Sequence, residues 1–193
     1  MSSTRLEAFS DAVIAIIITV MVLELPAPHG EHLGALRPAL PAFSTYALSF
    51  VFLGIYWSNH HHLLQVVERV NGAVLWANMH LLFWLSLVPF VTGWMGETHL
   101  APVPTAAYGI VLLMAALAWP ILLYTIVRAE GRESRLRTAV GAGTKEKVSL
   151  LCYVAAIPVA LVRPAVAAGL FVLVALLWLV PDRRIERLVT SGG

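Results

Sequence analysis

Charged residues are scarce in this chain. Asp, Glu, Lys and Arg make up 12% of its 193 positions, about half the share usual in a soluble domain. There is one cysteine, Cys152, so an intramolecular disulfide is excluded, and its apolar surroundings make it a small core residue. The net charge is only +2, and no basic patch is interleaved with aromatics, which argues against nucleic-acid binding. No glycine-rich phosphate loop, Ser/His/Asp order or paired catalytic carboxylates are present. A cleavable leader is not expected either. The first apolar stretch is interrupted by Asp11, and no small-residue cleavage site follows it, so it reads as a retained helix.

What the chain has instead is apolar length. Hydrophobic residues make up 59%, and the mean hydropathy is +0.81. A bilayer core needs about 20 mostly apolar residues per helix. Six such spans are predicted, over residues 5–25, 39–64, 73–95, 101–127, 148–162 and 165–180. Pro26 and Pro28 stop the first. Arg163-Pro164 separates the last two, and a proline disfavours a helical residue before it, which predicts a hairpin there. Eleven of the thirteen Lys and Arg residues fall on one side of a six-span topology, and only Arg37 and Arg163 on the other. Excess Lys and Arg marks cytoplasmic loops, so both termini should be cytoplasmic. Residues 1–189 should form a single six-helix membrane domain, with a mobile polar loop at 128–147 and a disordered tail at 190–193.

The first span concentrates polar groups where they are costly. Arg5, Glu7, Ser10 and Asp11 fall in its first two turns, and a charge inside a membrane must be paired or hydrated. Asp11 is therefore expected to face other helices and to bond a donor. Beyond it the helix is β-branched and uncharged. Ile16, Val20 and Leu23 share one face, with Thr19 beside them and Glu24 at the outer end. Composition alone makes such a stripe ordinary packing.

Three motifs extend the reading. Arg5-x-x-x-Phe9-Ser10-Asp11, followed by an Ala/Val/Ile/Thr run and closed by Leu23-Glu24-Leu25-Pro26, resembles the first helix of the transmembrane protein 175 family. Tyr56-Trp57-Ser58-Asn59-His60-His61 is similar to the family's Trp-x-x-His segment. Asn78 with Leu87-Val88-Pro89-Phe90 is similar to its Asn and Leu-x-Pro-Phe positions. The resemblance covers the first three spans; the last three agree in hydropathy and number. It implies an all-α potassium-permeable channel with six helices per chain, assembled as a homotetramer. The first helices would line the pore without a carbonyl filter. By distance from Asp11, Ile16 would form the constriction and Thr19 would sit at a position tied to selectivity. Val20 and Leu23 would form further apolar rings; the family often has leucine at the Val20 position, so that ring would be wider here. Arg5, Phe9, Ser10, Asp11, Trp57, His60 and Asn78 would form a structural network behind the pore.

The physics of that arrangement is coherent. Four copies of one helix enclose a path that one copy cannot. A ring of branched aliphatics gates by dewetting, Thr19 hydroxyls replace part of an ion's hydration, and Glu24 carboxylates at the outer mouth concentrate cations. The expected partners are the lipid bilayer, further copies of the chain and K⁺ as permeant ion, in the cell membrane. No cofactor or metal is expected. His60, His61 and His62 point about 100° apart and cannot together ligate one ion. His29, His32 and His99 fall in outer loops, where solvated histidines are the ordinary case. One alternative is a proton-permeable channel. Another is a cation-coupled transporter, against which stands the lack of a midplane Gly or Pro in span one. An intramembrane enzyme built on the histidine run is the third.

Overall fold

Proline and the bilayer decide where the helices begin and end. The computed structural model describes residues 2–131 and 143–179. Helix α1 runs over Ser3–Leu23. A 3₁₀ segment over Leu33–Ala39 leads into α2, Leu40–Gln65. Helix α3 covers Gly72–Ser86, with Asn71 Oδ1 accepting from the Val74 amide at 3.0 Å as its N-cap. Helix α4 follows directly over Val88–Glu97. The two form one span with a break at Leu87, because Pro89 has no N–H to give to the turn before it. Helix α5 covers Pro102–Glu130, α6 Thr144–Val162 and α7 Pro164–Leu179. Arg163, between the last two, leaves helical geometry at φ −140°, ψ 73°, as a residue before proline must. The hairpin expected there is present.

Six helical spans are thus described, and each lies within a few residues of its predicted limits. Four of them (Ser3–Leu23, Leu33–Gln65, Gly72–Glu97 and Pro102–Glu130) are long and apolar enough to cross a membrane by length and composition. Helix α7 is shorter and fully apolar. Helix α6 carries Lys145, Glu146 and Lys147 in its first turn, ahead of its apolar length. Among the described residues there is no strand. The chain is an all-α, multi-pass membrane protein. Most of the 128–147 segment and all of the 190–193 tail lie outside the described residues.

Helix α5 is the central post. It packs on α6, α3, α4 and α7, and Leu112, Ala115, Ala118, Leu122 and Ile126 along it are almost fully buried. Helix α1 stands to one side, against α2, α3 and α4. Small and hydroxylic residues hold these contacts close, as lipid-embedded helices require. Ser49 bridges Thr92 at 2.7 Å and Tyr108 at 2.9 Å, joining α2, α4 and α5. A Cβ on Gly96 would lie 2.7 Å from Thr45 Oγ1 and 2.8 Å from Ala42 Cα, so only glycine permits the observed α2–α4 approach.

Candidate functional site

The two faces of α1 have different environments. Leu6, Ser10, Ile14, Ile17 and Met21 are buried, spaced three and four apart along a single face. They are the side that α2, α3 and α4 cover. Ile16 is 63% exposed, Leu23 76% and Val20 37%, and Thr19 is exposed between them. The stripe singled out in the sequence is therefore the face that the subunit's own helices leave uncovered. Thr19 donates its hydroxyl proton to the Ala15 carbonyl at 2.8 Å. Its oxygen lone pairs remain free on the exposed side, which suits them to accept from water or to coordinate a cation. Glu24 caps the C-terminal end of α1, exposed. Together with Glu97, Tyr46 and Thr92 it lines a cleft of about 10 Å³, room for roughly one water.

Behind this face a buried hydrogen-bonded chain ties α1 to α3 and α2. Ser10 Oγ donates to the Leu6 carbonyl at 2.9 Å and accepts from Asn78 Nδ2 at 2.9 Å. Asn78 Oδ1 lies 2.7 Å from His60 Nε2. The amide oxygen can only accept, so His60 carries its proton on Nε2. All three side chains are buried. The His60 Nδ1 atom is buried without a partner among the described residues.

The remaining motif residues are arranged otherwise. Asp11 sits one position, about 100°, around the helix from Ser10 and misses α3. Its side chain is 32% exposed, and its Oδ1 atom has no hydrogen-bond partner among the described residues. His61 Nδ1 lies 3.9 Å from Oδ2. The same nitrogen lies 2.9 Å from Glu7 Oε1, out of line for a hydrogen bond. Gln65 Nε2 donates to the other ring nitrogen of His61 at 2.9 Å. Trp57 is 44% exposed and stacks on His61, ring centroids 5.8 Å apart and planes 22° apart, rather than reaching His60. Arg5 and Phe9 are exposed, and Arg5 makes no ion pair among the described residues. The structure thus divides the motif set in two: Ser10–Asn78–His60 inside the bundle, and Glu7–Asp11–His61–Trp57 at its margin. In the sequence Glu7 stood out among the polar groups of the first two turns and His61 in the histidine run, but nothing there brought the two together. The signal available was the 100° offset between His60 and His61, which points them at different neighbours.

These features define a helical membrane bundle that offers one helix face outward, and comparison with known proteins gives its class. The model for the endosomal/lysosomal potassium channel TMEM175 matches residues 5–89. A potassium channel from a Chryseobacterium species is 53% identical over 187 residues, 97% of each chain. A potassium channel from Streptomyces collinus is 33% identical over 158 residues, 72% of this chain and 77% of that protein. The human endosomal/lysosomal proton channel TMEM175 is 36% identical over 105 residues, 48% of this chain and 20% of that protein. In structure, the chain resembles a lysosomal potassium-selective channel TMEM175 homologue from Chamaesiphon minutus. The TM-score is 0.75 at 25% identity, covering 91% of this chain and 95% of that one. The chain is a member of an ion-channel family, not of a family of enzymes. It belongs to the TMEM175 family.

Proposed function

We propose that four copies of this chain assemble around their first helices into a potassium-permeable channel of the cell membrane, each subunit a single six-helix domain with both termini cytoplasmic. The observation that carries this reading is the uncovered Ile16–Thr19–Val20–Leu23 stripe. It faces away from the helices that bury Ile14, Ile17 and Met21. The likeness to the Chryseobacterium potassium channel, which runs nearly end to end, supports potassium as the permeant ion.

Conduction then follows from ring chemistry. Four Ile16 side chains offer no group to replace hydration, so an ion passes only when that ring stays wet. Val20 and Leu23 form two more apolar rings toward the outer end. The Thr19 oxygens, between them, supply lone pairs. Glu24 gives four carboxylates at the outer mouth, which raise the local cation concentration. The buried Ser10–Asn78–His60 chain fixes how α1 is rotated, and hence which residues reach the axis. Proton permeation is the second reading, favoured by the likeness to the human proton channel.

The test is flux from liposomes holding the purified protein, driven by a K⁺ gradient and repeated with Na⁺ and with a pH gradient. Native mass measurement accompanies it. Tetramers with K⁺ flux are expected. A monomer or dimer as the sole species, or tetramers that pass no K⁺, would defeat the proposal, and flux of protons alone would establish the second reading.

A further inference from the structure

A cavity far from the α1 face opens between α2, α5, α6 and α7. Its volume is about 50 Å³, and its walls include Phe52, Tyr56, Trp119, Tyr153, Trp178 and Glu146. It sits where α2 ends, α6 begins and α7 ends, the side that loop charge marks as cytoplasmic. Helix α1 contributes nothing to it.

Three features set the chemistry of an occupant. The first is the wall. Two tryptophans and two tyrosines surround the space, and such rings attract a cation over their faces, especially where water is excluded. Tyr56 and Trp119 meet edge to face with centroids 6.4 Å apart. Trp178 has its N–H committed to Ser149 Oγ at 2.8 Å, which fixes the indole plane. The second is charge. Glu146 Oε2 is buried and has no hydrogen-bond partner among the described residues, an arrangement that is costly unless a donor completes it. The third is an ammonium already standing over one of these rings. Lys145 Nζ, not itself part of the cavity wall, lies 6.0 Å from the Trp178 centroid. An apolar guest would leave the carboxylate unsatisfied. An anion would be repelled by it. A water molecule would take roughly 10–15 Å³ of the space, so the cavity accommodates about three or four heavy atoms.

We propose that this cavity binds a small organic ammonium group, with its N–H bonds on Glu146 and its methylenes against the aromatic wall. The group is either a free primary amine or the ethanolamine head of a membrane lipid. Both present the same chemistry, and the cavity lies toward the end of the bundle that loop charge marks as cytoplasmic, where aromatic residues meet lipid headgroups.

The experiment uses delipidated wild-type protein in detergent at fixed sodium chloride concentration. Ethylammonium chloride is titrated against tryptophan fluorescence, with ethanol as the neutral isostere. A saturable change is expected with ethylammonium and none with ethanol. Glu146→Gln should weaken binding roughly tenfold, as loss of a charge-assisted hydrogen bond does. Trp178→Phe should remove most of the signal, which separates this cavity from any site in the pore. A parallel native mass measurement in vesicles of equal phosphatidylethanolamine and phosphatidylglycerol separates the sources. Preferential retention of phosphatidylethanolamine, lost in Glu146→Gln, assigns the lipid head. Ethylammonium binding without lipid preference assigns a free amine. No saturable change in the wild-type protein overturns the proposal without recourse to any variant. Equal binding of ethanol does the same, as does unchanged binding in a folded Glu146→Gln.

Discussion

Ile16 and Ile17 are chemically identical neighbours with opposite surroundings, so the same substitution at each separates pore face from packing face. Ile17 is 5% exposed and Ile16 63%. In a bilayer the water-to-oil transfer energy does not stabilise packing, because lipid is as apolar as the helix interface. Ile17→Asn nonetheless removes tight contacts and leaves an amide with no partner inside the bundle. Together these cost roughly 2–4 kcal/mol, a fall in melting midpoint of roughly 4–16 °C for a chain this long. Ile16 is mostly uncovered by the subunit, so Ile16→Asn should leave the midpoint close to wild type. Its effect is expected in conduction. Four amides at the constriction lower the barrier to wetting, so cation flux rises and discrimination between K⁺ and Na⁺ weakens. The assay is detergent thermal melting by size exclusion, paired with K⁺ and Na⁺ flux from liposomes. If Ile16→Asn leaves flux and selectivity unchanged while Ile17→Asn alters them without lowering the midpoint, the wrong face of α1 has been assigned to the pore.

The same reasoning extends to three other positions. Asn78→Ala cuts both interhelical bonds of the chain and leaves the buried His60 Nε2–H without an acceptor, at a cost of about 1–3 kcal/mol, whereas Ser10→Ala cuts one interhelical bond and the bond to the Leu6 carbonyl and should cost about 1 kcal/mol; a reversed order of melting midpoints would count against the network. Gly96→Ala pushes a methyl against Thr45 and Ala42 and should cost about 1–3 kcal/mol, whereas Gly93→Ala, with only Glu24 Oε2 at 3.4 Å, should melt like wild type. Thr19→Val replaces lone pairs with methyls and should lower K⁺ flux about tenfold, a barrier increase of about 1.4 kcal/mol, while Thr19→Ser retains flux; equal flux from Val and Ser variants would remove Thr19 from the conduction path.

The sequence alone determined the six spans, the hairpin at Arg163-Pro164 and the family. Bilayer thickness fixes the length of an apolar run, and a proline fixes its own φ and restrains the residue before it. Both are local facts that a linear reading recovers. The resemblance to the family rested on residues in the first three spans, and the same stretch holds the Ser10, His60 and Asn78 that the fold joins. The tertiary structure decided what each remaining motif residue touches. Asp11 was expected to bond a donor within the bundle, yet it lies at the margin beside His61, because one step along a helix turns a side chain through about 100°. Trp57 pairs with His61 for the same reason. Which face of α1 is left open was indicated only by the family resemblance, not by the residues' own hydrophobicity. Val13, Ile14, Ile16, Ile17, Ile18 and Val20 are apolar all the way round, so hydrophobicity has no direction to offer in this segment. It is the docking of α2, α3 and α4 against Ile14, Ile17 and Met21 that distinguishes the two sides.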